Sequence, residues 1–257
     1  MTCFLEKLQA ALQDETEHFC VYDLADEDYK LKLSDAVFCA QDSIRNKHFW
    51  AAIEQYFEDQ PADKRQELIV IDAGSGTGIL GLMALNLGAK RCYFVEHNPF
   101  SLQLSQALAE QLGYADRCVF VQADATAYQP PEAFDLLLSE TITADFTRED
   151  FLPIVHHLIR FGNSEAQVIP ERFTVTYRGT DAEKKTLGDR QQLAFTAQVG
   201  IADQILRLPK NTAWVEMQTA CHLYRKHTIA PGRCSSFCNP VLLSLSQLAT
   251  TWQVHIE

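Results

Sequence analysis

The fold of this chain is decided by the stretch Val70-Ile71-Asp72-Ala73-Gly74-Ser75-Gly76-Thr77-Gly78. An apolar run leads into three alternate glycines, and the apolar segment ILGLMALNLG follows them. Glycine adopts left-handed conformations and lets a ligand approach the backbone closely. The pattern therefore predicts a buried strand, a tight turn and a helix, with the turn as a candidate cofactor surface.

Further apolar runs extend this unit along the chain. They are RCYFVE, RCVFVQ and AFDLLLSE, each about the length of one strand. Unbroken apolar strands are typical of parallel sheets that are covered on both faces. From Ala166 onward the pattern alternates, as in QVIPERFTVTYRG, which predicts antiparallel structure.

These patterns predict an α/β protein in three parts. Residues 1–60 have apolar residues at helical spacing and are expected to form a helical lid that closes over the cofactor. Residues 61–166 are expected to form a Rossmann-like sheet with its helices, and residues 167–257 a smaller β-rich region. The boundary is placed near Gln167.

Composition narrows the class of protein. The chain has 257 residues, 47% of them hydrophobic and 22% charged, as in folded globular proteins. A net charge of −12 argues against nucleic acid as the main partner. The sequence has no apolar run long enough for a membrane span and begins with acids where a signal peptide would be basic and apolar, so we expect a cytoplasmic protein. The eight scattered cysteines are expected to be free thiols.

Two acids end the next two strands. Glu96 lies 20 residues beyond Gly76, where a carboxylate can accept hydrogen bonds from both hydroxyls of an adenosine ribose. Asp124 follows the third strand and could accept a proton from the adenine amino group. Either acid alone could equally be a solvated strand end.

The combination of DAGSGTG, VEHN and QADA resembles the class I S-adenosylmethionine-dependent methyltransferases. Gly78 follows Thr77 directly, unlike the G-x-G-x-x-G pattern of dinucleotide-binding enzymes. The resemblance implies S-adenosylmethionine as cofactor. The cofactor contacts that it implies are Asp72, Gly74, Ser75, Gly76, Gly78, Glu96, Asp124 and Ser139.

A closer resemblance is to the protein arginine methyltransferases. Asp42-Ser43-Ile44-Arg45-Asn46 is similar to that family's D-x-V-R-T element, which implies that Arg45 binds the carboxylate of the methionyl group. Ser139-Glu140 and Glu149 resemble its two glutamates, nine residues apart, which implies that Glu140 and Glu149 hold a substrate guanidinium. Residues 167–172, QVIPER, look like the strand that enters the family's β-barrel.

Two positions depart from the family pattern. Thr212-Ala213-Trp214 stands where the family has Thr-His-Trp, so Ala213 replaces a histidine, and Thr141 replaces a bulky residue. The segment 179–211 is short for both barrel strands and the family's dimerisation arm. The resemblance therefore leaves a homodimer open.

Other residues were weighed as ligands or as a lid. Cys234 and Cys238, with His222 and His227, have a spacing that fits no standard zinc pattern, so no metal is expected. Tyr22 and Tyr29 lie in an acidic segment that could order over a substrate.

Three functions follow from this reading. The first is methyl transfer to an amine- or guanidinium-bearing acceptor, either a small molecule or a peptide. The second is attack on the methionyl γ-carbon, by aminocarboxypropyl transfer or by cyclisation to a small cyclic amino acid, which would release methylthioadenosine instead of S-adenosylhomocysteine. The third is a non-catalytic partner of an active relative. Methyl transfer is the leading hypothesis, and the intact cofactor residues argue against the third function. The same cofactor site could present either carbon of S-adenosylmethionine, so the second function stays open.

Overall fold

A computed structural model describes residues 2–23, 26, 29, 31–146, 148–201, 204–234 and 239–257. The chain starts with three helices, α1 (Thr2–His18), α2 (Leu33–Gln41) and α3 (Ser43–Asp59). The side chain of Asp42 caps α3, where it accepts hydrogen bonds from the backbone N–H groups of Ile44 and Arg45. These helices confirm the helical character predicted for the N-terminal residues.

The central part alternates strands and helices. In chain order it contains β1 (Ile69–Ala73), α4 (Ile79–Asn86), β2 (Arg91–Glu96), α5 (Pro99–Leu112), β3 (Cys118–Gln122), β4 (Leu136–Leu138), α6 (Phe151–Leu158) and β5 (Gln167–Ile169). All five strands pair in parallel, in the order β3-β2-β1-β4-β5. This confirms the Rossmann-like sheet, whose central strand β1 is buried throughout.

The strand order reverses at β1, because β2 lies on one side of it and β4 on the other. In open parallel sheets such a reversal leaves a crevice at the carboxyl ends of the strands, where ligands bind. Here the crevice lies above Ala73, Glu96 and Leu138. The topology alone thus selects the residues that follow β1, β2 and β4 as the candidate site.

The remaining strands form the antiparallel region. They are β6 (Arg172–Thr180), β7 (Thr186–Thr196), β8 (Ile205–Leu208), β9 (Trp214–Tyr224), β10 (His227–Ile229), β11 (Val241–Ser244) and, after the short helix α7 (Leu245–Leu248), β12 (Gln253–Ile256). The main sheet has the order β10-β9-β6-β7, with β11 also paired to β9, while β12 pairs with β8. Because β9 pairs with both β6 and β11, it ties the region together.

The switch between the two sheets lies slightly later than the sequence suggested. The sequence analysis placed Gln167–Ile169 in the β-rich region, but β5 pairs in parallel with Leu136–Leu138. The antiparallel sheet starts only at Arg172, after a cis Ile169–Pro170 bond. A three-residue strand is too short for an alternating pattern to be distinguished from a buried one, which explains the difference.

Helix α3 is fixed at its far end by both sheets. The Tyr56 hydroxyl donates to the Asp135 carbonyl at 3.1 Å, beside the parallel sheet. Asp59 accepts hydrogen bonds from the Tyr224 hydroxyl and from Arg225 Nε. Since Arg45 lies in the first turn of the same helix, these contacts help to fix its position.

No helix among the described residues is long and apolar enough to cross a membrane. The seven cysteines in this described part of the chain are all free thiols.

Candidate active site

The glycine turn, residues 74–78, lies directly after β1 at the carboxyl edge of the sheet. Gly74, Gly76 and Gly78 have positive φ angles of 65°, 53° and 76°, which side-chain-bearing residues rarely adopt. The Gly76 N–H donates to Glu96 Oε2 at 2.8 Å, so the turn is bonded to the end of β2. The glycines that the sequence selected therefore form one rigid backbone surface.

Two further residues of this motif, Asp72 and Gly78, lie in closely packed positions at the two ends of the turn. Asp72 is only 1% exposed and accepts a hydrogen bond from the Gly81 N–H at 2.8 Å. Burial raises the pKa of its carboxyl group to about 7. Gly78 precedes α4, and a Cβ there would collide with the Ser105 hydroxyl.

Glu96 and Asp124 line the same cavity, which has a volume of about 340 Å³. Glu96 accepts backbone hydrogen bonds on both oxygens, from Gly76 and from Asn98. Asp124 accepts hydrogen bonds from the N–H and hydroxyl of Thr126. Both carboxylates are thus held in place by local contacts at the strand ends.

Arg45 and Glu140 form a buried ion pair at the other side of the glycine turn. Arg45 Nε donates to Glu140 Oε2 at 3.0 Å, and Nη2 donates to the same oxygen. The Arg45 side chain is 5% exposed and that of Glu140 10%. Burial raises the pKa of Glu140 above its usual value, although the guanidinium of Arg45 opposes that shift.

This pair leaves donors and an acceptor for a ligand. Arg45 Nη1 donates to Asn46 Oδ1, so three of the five guanidinium N–H groups have partners among the described residues. Both bonds from Arg45 to Glu140 go to Oε2. Within the described part of the chain, Arg45 therefore has donors left for a ligand carboxylate while it stays paired, and Oε1 of Glu140 is left for a cationic group.

The glutamate loop, residues 139–146 and 148–150, lies between Arg45 and the larger cavity and contributes to its wall. Glu149 and Glu140 line that cavity and also a smaller one of about 60 Å³ that contains Arg45. Gly74 lines both as well. The two cavities thus adjoin at the two glutamates that the sequence selected.

Two serines of the predicted set behave differently. Ser139 is buried, and its hydroxyl donates to the Ala73 carbonyl at 2.9 Å, so it joins β4 to β1. The Ser75 hydroxyl is buried without a hydrogen-bond partner among the described residues, and Ser75 lines the smaller cavity. An unpartnered buried hydroxyl at a cavity is a group that a bound ligand can satisfy.

The structure places Ala213 away from the carboxyl edge of the parallel sheet. Its N–H donates to the carbonyl of Thr180, the last residue of β6, whereas the first residue, Arg172, adjoins that edge. A nine-residue strand is roughly 26 Å long. Ala213 aligns with the family's histidine, but it lies at the end of β6 that is far from the glutamate loop.

The residues weighed as metal ligands have other contacts. His222 forms hydrogen bonds with the hydroxyls of Thr174 and Thr228. Cys234 is buried, and Cys238 lies outside the described residues. In the part of the chain that the structure describes, no group of three or more His, Cys, Asp or Glu could hold a metal.

Two residues that line these cavities, Asn98 and Cys39, were not predicted from the sequence. Asn98 is buried; its side chain donates to Asp26 and to the Leu31 carbonyl, which ties the segment before α2 to the end of β2. Tyr29, which the sequence analysis considered as part of a lid, lies in the same cavity wall and packs against His97. Cys39 lines the smaller cavity, and burial raises the pKa of its thiol to about 12. The only sequence signal for Asn98 was its place two residues after Glu96, and Cys39 had none.

Comparison with known proteins agrees with this architecture. Residues 70–162 match a family model described as a methyltransferase domain. The chain is 25% identical over 203 residues to the protein arginine N-methyltransferase 7 of Rattus norvegicus, covering 76% of this chain and 28% of that protein. It is also 30% identical over 92 residues to an arginine N(omega)-methyltransferase of Streptomyces achromogenes subsp. streptozoticus, covering 34% of this chain and 26% of that one. The chain thus spans about a quarter of the length of these curated relatives.

Solved structures show the same fold. One is a Trypanosoma brucei PRMT1 enzyme-prozyme heterotetrameric complex with AdoHcy, which has a TM-score of 0.57 and 13% identity over 81% of this chain and 76% of that chain. Another, PRMT6-SAH, has the same TM-score and identity and covers 81% of this chain and 87% of that chain. The resemblance to class I methyltransferases, and among them to the arginine methyltransferases, is confirmed.

Proposed function

We propose that this chain is an S-adenosylmethionine-dependent methyltransferase that acts on an amine- or guanidinium-bearing acceptor. The observation that carries the proposal is the junction of the two cavities at Glu140 and Glu149. A ligand that extended from Asp124 past Gly74 to Arg45 would pass both carboxylates. That order of groups suits a molecule with a nucleoside at one end and an amino acid at the other.

The residues present fit this cofactor. Glu96 and Asp124 would hold the nucleoside, Arg45 the amino acid carboxylate, and the Ser75 hydroxyl would gain the partner that it lacks among the described residues. Arg45 is suited to the task because a guanidinium binds a carboxylate through two parallel hydrogen bonds. When bound, S-adenosylmethionine supplies a methyl group on a positively charged sulfur, which is already electrophilic.

The protein then needs mainly to orient the acceptor nitrogen. Glu140 and Glu149 attract a cationic group and hold it in one orientation, and the low exposure of the Glu140 side chain, 10%, strengthens its share of the attraction. The relatives named as arginine methyltransferases support an acceptor of this charge. The small Thr141 beside Glu140 leaves room that a bulky residue would fill, which favours a small-molecule or peptide acceptor without deciding between them.

The test is to supply S-adenosylmethionine to the purified full chain with L-arginine, an arginine-containing peptide or simple amines, and to identify the nucleoside product. We expect release of S-adenosylhomocysteine that depends on the acceptor. Methylthioadenosine would overturn the proposal and establish attack on the γ-carbon. Intact S-adenosylmethionine with every acceptor would also overturn it and favour the non-catalytic reading.

A substitution assigns the role of the carboxylates. Glu149→Gln removes one charge without breaking the buried pair with Arg45, so we expect turnover to fall about 100-fold while the Kd for S-adenosylhomocysteine stays within about twofold. Glu165→Gln, at an exposed glutamate beyond α6, is the matched control and should change neither. Equal turnover in Glu149→Gln and the control would contradict this role.

A further inference from the structure

The antiparallel region contacts the glutamate loop through a buried threonine. The Thr219 hydroxyl, on β9, donates to the Ala144 carbonyl at 2.6 Å, and both residues are buried. The two residues are 75 positions apart in the chain. A buried carbonyl without a partner is costly, so this bond favours one position of the loop.

A second contact reaches the next residue of the loop. Trp252 Nε1, just before β12, donates to the Asp145 carbonyl at 2.9 Å, and the indole is buried. Its ring also lies near those of Phe146 and Phe195, with centroid distances of 6.4 and 6.2 Å. Two successive carbonyls of the loop are therefore bound by different parts of the antiparallel region.

The loop has an unusual backbone at this point. Phe146 has a φ of 60°, and its N–H donates to the Thr143 carbonyl at 3.0 Å, which closes a tight turn. Its ring packs against Phe173 and Phe195 of the antiparallel sheet, at 5.0 and 5.3 Å. A left-handed phenylalanine persists only where its surroundings hold it.

We propose that Thr219 and Trp252 are positioning residues for the acceptor. They hold the turn at residues 143–146, which lies between Glu140 and Glu149, and so fix the separation of the two carboxylates. The assignment of these carboxylates to the acceptor rests on the proposed function. Carboxylates that orient a reacting group must be held to within about 0.5 Å, and sites on loops are held less precisely than sites on helices or strands unless further contacts support them.

Conservative variants of Thr219 test the first contact. Thr219→Val removes the hydroxyl at nearly constant volume, and we expect kcat with S-adenosylmethionine and an arginine-containing peptide to fall about tenfold. The rate is counted per S-adenosylhomocysteine-binding site, so that unfolded protein does not contribute, and the Kd for S-adenosylhomocysteine should stay within about twofold. Thr219→Ser keeps the hydroxyl and should restore most of the rate.

The matched control is Thr180→Val. Thr180 is also a buried threonine of the antiparallel sheet that donates to a backbone carbonyl, but its acceptor is Trp214, far along the chain from the glutamate loop. It should leave the rate per binding site unchanged. An equal loss in Thr180→Val and Thr219→Val would overturn the proposal, because the effect would then be general weakening of the sheet.

The second contact is tested by Trp252→Phe against Trp50→Phe. The two substitutions remove the same volume from a buried site, but Trp50 Nε1 has no hydrogen-bond partner among the described residues. Hydrogen exchange of the backbone amides at residues 144–148, measured on the protein without ligands, should be faster in Trp252→Phe and Thr219→Val than in their controls. Unchanged exchange in both would overturn the proposal.

The two sets of measurements separate this proposal from the proposed function. If the wild-type chain methylates no supplied acceptor, the proposed function fails, while hydrogen exchange still decides whether Thr219 and Trp252 hold the loop. If the wild-type chain is active and Thr219→Val matches it in rate, the positioning role fails while the proposed function stands.

Discussion

The glycine turn and the glutamate loop face the same crevice, but they are built in opposite ways. The turn is held by contacts between neighbours in the chain: Gly76 bonds to Glu96, 20 residues away, and Gly81 bonds to Asp72, nine residues away. The glutamate loop is held by Arg45, Thr219 and Trp252, at separations of 95, 75 and 107 residues. The glycine turn is therefore held within one βαβ unit, whereas the glutamate loop is held by contacts from α3 and from the antiparallel region.

The largest effect should come from breaking the Arg45–Glu140 pair. Arg45→Ala leaves the Glu140 carboxylate buried without its cation, and the loss of one partner of a buried pair costs about 3–5 kcal/mol. We expect this loss in the free energy of unfolding, measured by urea denaturation, and a collapse of turnover. Arg45→Lys should recover part of the stability, since an ammonium provides charge without the planar pair of donors.

The control for this prediction is Arg91→Ala. Arg91 pairs with Glu132, but their side chains are 43% and 38% exposed, and exposed pairs contribute at most about 1 kcal/mol. Similar losses in Arg45→Ala and Arg91→Ala would show that the Arg45 pair is not the long-range anchor described above.

The next effect concerns a place where the two regions come close together. A Cβ at Gly74 would collide with Cγ2 of Thr141 in the glutamate loop, whereas a Cβ at Gly76 would meet only Ala36, at 3.5 Å. Both glycines have similar positive φ angles, so the backbone strain of alanine, about 1–2 kcal/mol, is common to both. We expect Gly74→Ala to weaken S-adenosylhomocysteine binding about tenfold more than Gly76→Ala, because overpacking costs a further ~1–3 kcal/mol.

Thr141→Ser provides the matching test, because it removes Cγ2 and keeps the hydroxyl that bonds with Ser139. The double variant Gly74→Ala/Thr141→Ser should recover the tenfold difference when binding is measured by calorimetry. If the double variant binds no better than Gly74→Ala alone, the turn and the loop are not coupled at this contact.

The same contrast explains what could be predicted from the sequence. The strand, the glycine turn and Glu96 follow from local patterns, and the structure places all of them as expected. The two residues that bind carbonyls of the glutamate loop from the antiparallel region, Thr219 and Trp252, gave no signal. Their role depends on which distant segments meet, and no local pattern encodes that.

A motif match could also mislead for this reason. Ala213 was selected because Thr212-Ala213-Trp214 resembles a family loop, yet the strand register pairs Trp214 with Thr180. The resemblance does not locate this loop relative to the parallel sheet. That position depends on the register in which β6 pairs with β9, which a three-residue motif does not encode.

A third effect distinguishes the buried carboxyl groups of the two regions by pH. Burial raises the pKa of Asp72 to about 7, while in the unfolded chain it is about 3.9. Between these values the folded state binds the proton more tightly, so this group makes stability fall as pH rises from about 4 to 7, by at most about 1.4 kcal/mol per pH unit. Below pH 4 its contribution is constant.

Asp72→Asn should remove this slope because an amide does not titrate in this pH range. Its oxygen can still accept the hydrogen bond from Gly81, so the turn should stay intact. Urea unfolding at pH 5 and pH 7.5 should show a smaller difference in Asp72→Asn than in the wild-type chain. Glu140→Gln is the counterpart in the glutamate loop. It should instead destabilise the protein at both pH values, because it leaves the positive charge of Arg45 without the negative charge of Glu140. The same slope in Asp72→Asn and in the wild type would refute the assignment to Asp72.

The smallest effect is expected at Ser75, in the glycine turn. Its buried hydroxyl has no partner among the described residues, so Ser75→Ala removes a desolvated group and should leave the unfolding free energy of the ligand-free protein unchanged or slightly higher. In the complex with S-adenosylhomocysteine the hydroxyl is expected to form a hydrogen bond, and its loss should weaken binding by about 1 kcal/mol, or roughly fivefold. Calorimetry and a denaturation curve, each recorded for the wild-type chain and for Ser75→Ala, separate the effect on binding from the effect on stability. A loss of stability without ligand would mean that the turn needs this hydroxyl for its own structure, and the turn would then be less self-sufficient than its local contacts indicate.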